Sequence, residues 1–307
     1  MTVRAGREFL AIPGPTTMPD EVLRAMHRPA IDIYSKEMLD LTESLLSDIS
    51  KLFATRGKSY IYIANGHGAW EAALSNVLSR GDKVLVLESG RFAIGWGNAA
   101  ALMGAEVEVL KGDWRRAVRP HEVEERLRRD KEHRIKAVVV VQVDTASGVQ
   151  NDIEAIGKAI KASGHPALYM VDTVASLGCM PFEMDKWGVD VAMSGSQKGL
   201  MTPPGLGFVS ANARALEVHK RRTCRRPIGA GASARAPRII ANMPAPRRCI
   251  CCSRCARRST CCTRKGLKTP SAATACSAKP RAARYPPGRK ARCSASTSPK
   301  PASAPTP

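Results

Sequence analysis

Acidic residues are missing from the last 87 residues of this 307-residue chain, and so are histidine and valine. All 27 Asp and Glu residues lie in residues 1–220, together with 27 of the 48 Lys and Arg residues. Residues 1–220 are therefore neutral, and the net charge of +21 comes from residues 221–307. This separation argues against a uniformly basic, nucleic-acid-binding fold, because the average composition describes neither part of the chain.

Cysteine is almost absent from residues 1–220, where Cys179 is the only one of the chain's ten. A single cysteine excludes a disulfide framework there and fits a reducing, cytosolic setting. Long apolar runs are also missing: none approaches the length of a membrane span, and residues 1–19 offer no stretch of signal-peptide length. We therefore expect a cytoplasmic protein without a membrane partner.

Residues 1–220 alternate between strand-like and helix-like patterns. This alternation predicts an α/β fold with a mainly parallel sheet sandwiched by helices. Buried strands are predicted at 59–64, 83–88, 137–141, 167–172 and 189–193 from their runs of Val, Ile, Leu and Tyr. Helices are predicted at 37–53, 69–79, 92–103, 119–131 and 152–163.

Three of the predicted strands end in polar groups, which a parallel sheet brings to one edge. Residues 65–68 (Asn-Gly-His-Gly) favour a phosphate at a helix start, or else form an ordinary glycine turn with a surface histidine. Asp172 would need a cationic partner such as a protonated pyridine nitrogen, unless it caps the following segment. After the third strand, Ser196 and Gln197 could donate to a phosphate, and Lys198 is placed like a Schiff-base lysine.

Four motifs resemble the class V pyridoxal-phosphate-dependent aminotransferases, within them the serine–glyoxylate and alanine–glyoxylate group. In order, they are Pro13-Gly14-Pro15-Thr16, Asn65-Gly66-His67-Gly68-Ala69-Trp70-Glu71-Ala72, Val171-Asp172-Thr173-Val174-Ala175-Ser176-Leu177-Gly178 and Ser194-Gly195-Ser196-Gln197-Lys198. The resemblance implies the aspartate-aminotransferase-like architecture, called fold type I. Residues 1–20 would be an N-terminal arm and 21–220 the large domain that binds pyridoxal 5'-phosphate. Family members add a small C-terminal domain and form homodimers.

The resemblance also implies a role for each matched residue. Lys198 would bind the cofactor as a Schiff base and act as the catalytic base, and Asp172 would pair with the pyridinium nitrogen. The other cofactor positions would hold the phosphate (Gly66, His67, Gln197), stack on the ring (Phe92) or line the cofactor (Thr145, Val174). From the residues alone, Phe92 fits a core aromatic equally well. Gly14 would lie near the substrate carboxylate, and no metal is implied.

The implied reaction is transamination between a small amino acid, serine or alanine, and a 2-oxo acid, glyoxylate or pyruvate. A cysteine desulfurase is the alternative within the same fold. That family typically has histidine before the Schiff-base lysine, where this chain has Gln197, and a mobile cysteine, for which Cys179 is the only candidate in residues 1–220. The aminotransferase is therefore the prediction.

The resemblance ends near Lys220. The family's small domain, which supplies the arginine for the substrate carboxylate and helps to build the homodimer, has no recognisable counterpart in residues 221–307. We therefore assign no such arginine, and expect neither the family's dimer nor its full activity of this form. Exposed apolar surface is expected instead, with poor solubility.

Residues 221–307 combine 21 basic residues with nine cysteines and little apolar mass, which predicts disorder. One alternative is a zinc- or nucleic-acid-binding module on a non-catalytic cofactor domain, drawing on the cysteines at 249–262. The composition favours a frameshift near residue 220. In a GC-rich gene, Leu-Leu codons shifted by one base encode Cys-Cys, while Asp and Glu disappear. No specific nucleic-acid partner is expected.

Overall fold

The structure, a computed structural model, describes residues 10–221, which form seven helices and nine strands. The predictions for the basic tail beyond Arg221, including its cysteine cluster, its disorder and the frameshift, lie outside the described residues. The helices are α1 (Asp20–Met26), α2 (Lys36–Leu52), α3 (Gly66–Val77), α4 (Arg91–Leu102), α5 (Pro120–Arg129), α6 (Ile153–Ala162) and α7 (Ala213–Arg221). The strands are β1 (Lys58–Ile63), β2 (Lys83–Leu87), β3 (Glu106–Leu110), β4 (Ile135–Val141), β5 (Val143–Asp144), β6 (Val149–Gln150), β7 (Leu168–Asp172), β8 (Val191–Gly195) and β9 (Leu206–Ala211).

Seven strands form one sheet in the order β1-β9-β8-β7-β4-β2-β3. Strands β3, β2, β4, β7 and β8 pair in parallel, whereas β9 is antiparallel to both of its neighbours, β1 and β8. Strand β1 therefore runs in the same direction as the parallel strands, so six strands have their carboxyl ends at one edge. The predicted α/β fold with a mainly parallel sheet is confirmed.

Helices cover both faces of this sheet, and alternate side chains of each central strand enter a different core. Leu85 and Val138 point into a core with α2, α5 and α6, whereas Val86 and Val139 point into one with α3, α4 and α7. Side chains of a strand alternate between its two faces, so a strand buried on both must be apolar throughout. That is why the predicted strands appear as continuous apolar runs.

All five predicted strands and all five predicted helices are present, with ends shifted by at most three residues. The sequence analysis missed β3 and β9 in the main sheet, and the helices α1 and α7. Strand β3 lies at the sheet edge, and its Glu106 and Glu108 form ion pairs with Lys83 of β2. A half-polar edge strand of five residues lacks the apolar run that predicts a central strand.

The N-terminal helices leave much apolar surface uncovered. Helix α1 buries no residue, and α2 buries only Ile49. The side chains that are at least 39% exposed in this region are Leu10, Ile12, Leu23, Met26, Ile33, Tyr34, Leu41, Leu45 and Leu52. An apolar surface of this kind is typical of an association surface. No helix among residues 10–221 is long and apolar enough to cross a membrane.

Candidate active site

The carboxyl edge of the sheet brings the three predicted strand ends together. Gly195, the last residue of β8, faces the start of α3, since a Cβ built on it would lie 3.5 Å from the Gly66 nitrogen. A Cβ on Gly66 would lie 2.9 Å from Val174 Cγ2, just beyond β7. Trp70 of α3 donates a hydrogen bond to Asp172 at the end of β7. The three strand ends are thus adjacent, and a side chain at either glycine would fill the space between them.

Asp172 is buried, with 3% of its surface exposed. Its Oδ1 accepts the backbone N–H of Val174 and its Oδ2 accepts the indole N–H of Trp70, both at 2.7 Å. The bond from Val174 is the local cap that the sequence analysis weighed as an alternative, but the bond from Trp70 comes from a different element. Burial raises the pKa of Asp172 from 3.8 to about 6, against the opposing effect of these two donors.

Lys198 lies in the loop after β8 and is anchored to the N-terminal segment. Its Nζ donates to the Pro13 carbonyl at 2.9 Å, and Gly14 packs against its side chain. Gly14 has a φ of +141°, and a Cβ there would lie 2.6 Å from Lys198 Cδ. Thr16 fixes the loop through a hydroxyl bond of 3.1 Å to the Lys198 carbonyl. Burial lowers the pKa of the Lys198 amine, which favours the neutral form needed for a nucleophile or base.

The start of α3 lies where the sequence predicts either a phosphate site or an ordinary glycine turn, and the structure corrects one detail of that prediction. The helix begins at Gly66, so residues 66–68 form its first turn and are not a loop before it. Asn65 is the N-cap, and its side chain accepts the Gly68 N–H at 3.2 Å. The first N–H groups of a helix have no partner within the helix and carry its positive dipole end. His67 is exposed at this end.

The loop after β8 contributes a buried amide to the same corner. Gln197 Oε1 is buried and has no hydrogen-bond partner among the described residues, and a Cβ on Gly195 would lie 3.1 Å from it. Such an atom fits a polar ligand, because buried polar atoms normally have a partner. The prediction that Ser196 donates to a phosphate is wrong. Its hydroxyl donates to the Pro203 carbonyl at 2.6 Å and accepts the Leu206 N–H at 3.3 Å.

Phe92 lies near the start of α4 and faces the aromatic side chains of α3. Its ring centroid is 6.4 Å from that of His67 and 6.3 Å from that of Trp70. Its backbone N–H donates to Asp144 Oδ2 at 2.9 Å, so Asp144 fixes the start of this helix. Thr145 follows Asp144 and is half-buried. The structure thus places Phe92 near His67 and within the partly buried aromatic cluster, and its stacking on the cofactor ring stays a prediction.

Comparison with known proteins identifies the family. The family model described as aminotransferase class-V matches residues 9–223. The chain belongs to the class V aminotransferase family. It is 47% identical over 218 residues to the serine–glyoxylate aminotransferase of Methylorubrum extorquens, covering 71% of this chain and 54% of that protein. It is 40% identical over 208 residues to the L-aspartate–glyoxylate aminotransferase of Paracoccus denitrificans, covering 67% and 52% respectively.

A solved structure extends the likeness to the fold. The alanine–glyoxylate aminotransferase of Nostoc sp. matches with a TM-score of 0.67 and 29% identity, covering 73% of this chain and 59% of that one. This class V aminotransferase chain has the fold type I architecture of pyridoxal-phosphate-dependent enzymes. It spans about half the length of the curated relatives that it matches.

Class V aminotransferases imply pyridoxal phosphate as their cofactor, and the residues at the carboxyl edge fit that group. The helix start at Gly66 suits a phosphate. The unpartnered Oε1 of Gln197 suits a hydrogen-bond donor of the bound group. The buried carboxylate of Asp172 suits a cationic ring nitrogen, and the amine of Lys198 suits an aldehyde. The start of α3, the carboxylate of Asp172 and the amine of Lys198 are therefore the kinds of group that bind this cofactor.

Proposed function

We propose that the chain binds pyridoxal phosphate and transfers an amino group between serine or alanine and a 2-oxo acid, glyoxylate or pyruvate. The observation that carries this proposal is the arrangement at the carboxyl edge. The partly buried amine of Lys198, the buried carboxylate of Asp172 and the start of α3 come from three separate strand ends. Two relatives at 40–47% identity support the reaction class, since both are named as glyoxylate aminotransferases.

Each predicted residue has a role in holding the cofactor. Lys198 would bind the cofactor's aldehyde, and the carboxylate of Asp172 would accept a charge-assisted hydrogen bond from its protonated ring nitrogen. The remaining contacts would be to the phosphate (Gly66, His67, Gln197), to the face of the ring (Phe92) and to its edges (Thr145, Val174). Gly14, in contact with the Lys198 side chain, leaves the adjoining space open for the substrate carboxylate.

The proton chemistry follows from the electrostatics of these residues. When bound, pyridoxal phosphate supplies a ring that withdraws electrons from the substrate's α-carbon. A cation beside Asp172 would lower the pKa of its carboxyl below the value of about 6 and keep it ionised. The substrate's amino group would replace the Lys198 amine on the aldehyde and so set that amine free. Lys198, whose pKa burial lowers, would then take up the proton that leaves the α-carbon. The surroundings of the two residues thus keep Asp172 as an anion and leave Lys198 to act as the base.

The desulfurase alternative depends on Cys179, which is a free, exposed thiol. This cysteine lies in a turn fixed by its own backbone, since its N–H donates to the Ser176 carbonyl at 2.9 Å. A Cβ on Gly199 would lie 2.6 Å from the Cys179 sulfur, so the thiol packs against the Lys198 loop. A thiol packed in this way does not have the mobility of a desulfurase nucleophile. We therefore prefer the aminotransferase.

A spectroscopic titration followed by half-reactions tests the proposal. The full chain is titrated with pyridoxal phosphate, then mixed separately with serine, alanine and aspartate while the cofactor absorbance is followed. We expect a lysine-bound absorbance band that serine or alanine, but not aspartate, converts to the aminated form. A protein that takes up no cofactor would refute the function. Conversion by aspartate alone would refute the choice of donor and leave the reaction class standing.

The homodimer of the family is not carried over to this chain. Its N-terminal helices and the segments beside them expose the nine apolar side chains named above, and uncovered apolar surface promotes self-association. We expect heterogeneous, concentration-dependent association in size-exclusion chromatography with light scattering. A monodisperse dimer would contradict this expectation and would show that the uncovered surface is sufficient for the family's assembly.

A further inference from the structure

Trp70 donates a hydrogen bond to Asp172 at this site, and the proposed chemistry assigns no role to that bond. It lies in the second turn of α3, is 4% exposed, and donates its indole N–H to Asp172 Oδ2 at 2.7 Å. The other carboxylate oxygen accepts from the Val174 backbone. One oxygen is thus fixed by the chain next to Asp172 and the other by a different element. Rotation of the carboxylate would break both bonds.

The indole ring is itself held in place from several sides. It stacks on Trp96 of α4 with the ring centroids 6.2 Å apart and an angle of 15° between the planes. A Cβ on Gly95 would lie 3.4 Å from its outer ring atoms, so α4 approaches it closely. Its faces and edges also meet His67 at 4.7 Å and Phe92 at 6.3 Å between ring centroids.

We propose that Trp70 is a positioning residue, which aims the Asp172 carboxylate through its indole N–H and braces His67 and Phe92 through its ring. One side chain then links the groups assigned to the ring nitrogen, the phosphate and the ring face. The hydrogen bond stands on its own geometry, whereas its value for the cofactor rests on the proposed function. The indole is too deeply buried to touch a substrate, so its effect passes through Asp172.

The charges around Asp172 give the bond an energetic consequence. Asp144 raises the pKa of Asp172, whereas Lys198 and the N–H donors of Val174 and Trp70 lower it. Losing the indole donor would raise the pKa of Asp172 further above about 6. A neutral carboxyl group cannot pair with a pyridinium nitrogen, so cofactor binding would then weaken most at low pH and recover as the pH rises.

Trp96 provides a matched control. It is fully buried in the same cluster, but its indole N–H has no hydrogen-bond partner among the described residues. Trp70→Phe and Trp96→Phe therefore remove the same atoms from neighbouring positions, and only the first removes a bond to Asp172. A purely structural role of Trp70 would make the two variants behave alike.

The first measurement needs no cofactor. In the full chain labelled with ¹⁵N-tryptophan, one of the four indole N–H resonances should shift with pH around a midpoint near 6. That resonance should be the one missing in Trp70→Phe, and it should stop titrating in Asp172→Asn. An indole spectrum without such a titration, or one unchanged by Asp172→Asn, would overturn the proposed bond without requiring any tryptophan variant to fold.

The second measurement follows pyridoxal phosphate affinity against pH. Trp70→Phe should weaken binding by roughly tenfold or more at about pH 6.5, with the difference shrinking at higher pH, whereas Trp96→Phe should change it less than about threefold. Superimposable pH profiles for the two variants would overturn the positioning role. If the unaltered chain binds no pyridoxal phosphate, the proposed function fails and the cofactor role of Trp70 fails with it, while the indole titration still decides the hydrogen bond.

Discussion

Two buried aspartates lie at opposite edges of the same sheet, and they differ in how completely the protein satisfies them. Asp190, just before β8, is 2% exposed and accepts from the Tyr169 backbone, Asn212 and both ends of the Arg214 guanidinium. Asp172, at the carboxyl edge, is similarly buried, but among residues 10–221 it has two N–H donors and no ion pair of this kind. Burial raises the pKa of Asp172 to about 6.

This difference distinguishes a buried carboxylate that stabilises the fold, Asp190, from one that is available for a ligand, Asp172. A buried carboxylate with a full set of donors and a cationic partner is stable without any ligand. A carboxylate that lacks the cation is costly in the folded protein unless a ligand brings one. The amino edge is therefore closed by the protein's own side chains, while the carboxyl edge is left to be completed by another molecule. Four substitutions test this contrast.

The largest effect is expected from Lys198→Ala. Loss of the amine removes both the covalent attachment and the proposed base, and transamination should fall by roughly 10³-fold or more. Because Lys198 is part of an under-satisfied site, stability should stay within about 1 kcal/mol of the unaltered chain. Stopped-flow absorbance and urea unfolding measure the two quantities. Lys186→Ala, at an exposed ion pair with Glu183, is the matched control and should change neither.

Asp190→Asn should have the next largest effect, on stability alone. The substitution leaves Arg214 without its buried partner, which costs roughly 2–3 kcal/mol because Arg214 is itself half exposed. Urea unfolding measures the loss, and a pyridoxal phosphate titration should give an affinity within about twofold of the original. A variant that kept its stability and lost its affinity would reverse the assignment of the two edges.

Asp172→Asn should weaken cofactor binding without destabilising the cofactor-free protein. Pyridoxal phosphate should bind roughly ten- to a hundredfold more weakly, as a charge-assisted bond becomes neutral. The folded-state pKa of about 6 exceeds the ordinary 3.8, so the carboxyl contributes stability below pH 3.8 that is lost as the pH rises through 6. At about pH 8 the cofactor-free variant should therefore be more stable by roughly 1–2 kcal/mol, after the loss of one hydrogen bond.

The pH dependence of the stability gained by Asp172→Asn tests whether the gain comes from the ionised carboxylate. Unfolding free energies of the two cofactor-free proteins should converge as the pH falls from about 6 towards 4, because Asp172 then becomes neutral in the unaltered chain as well. A constant difference across this range would mean that the carboxyl has an ordinary pKa and that the site is not under-satisfied.

The smallest effect is expected from Thr16→Ala. The hydroxyl holds the N-terminal segment on the Lys198 loop through one hydrogen bond of 3.1 Å. Its loss should cost about 1 kcal/mol of local order and weaken the cofactor only a few-fold. Hydrogen exchange of the loop amides measures the effect. Thr42→Ala, which removes a similar bond of 2.8 Å to the Met38 carbonyl within α2, should leave that loop unchanged.

The central architecture could be predicted from the sequence because each central strand is buried on both faces. The run of β4, Ile135–Val141, is typical of such a strand in its length and in its β-branched residues. The parallel order of the strands was sufficient to predict that their carboxyl ends share one edge. The positions of Asp172 and Lys198 after two of these strands then predicted that both residues lie at that edge. Strand β9 was missed because its place in the sheet depends on antiparallel pairing with β8, across the loop that carries Lys198, and with β1, which lies far away in the sequence.

The missed site residues share a different cause. Trp70 occupies a helical position in an apolar stretch, where local sequence predicts a core residue, and only the arrival of β7 beside α3 gives its N–H a partner. Asp144, next to Thr145, was not predicted to have a role, although its carboxylate accepts the backbone N–H groups of Phe92 and Ala93 at the start of α4. Ser196 illustrates the reverse, since the fold of its own loop occupies a hydroxyl that the sequence leaves available.

The most direct test of the central claim is to find where the cofactor attaches. The full chain is incubated with pyridoxal phosphate, reduced with borohydride, digested and mapped by mass spectrometry. We expect a single stoichiometric phosphopyridoxyl label on Lys198, absent from Lys198→Ala. A label spread over surface lysines, or none at all under saturating cofactor, would contradict the assignment of the carboxyl edge as the cofactor site.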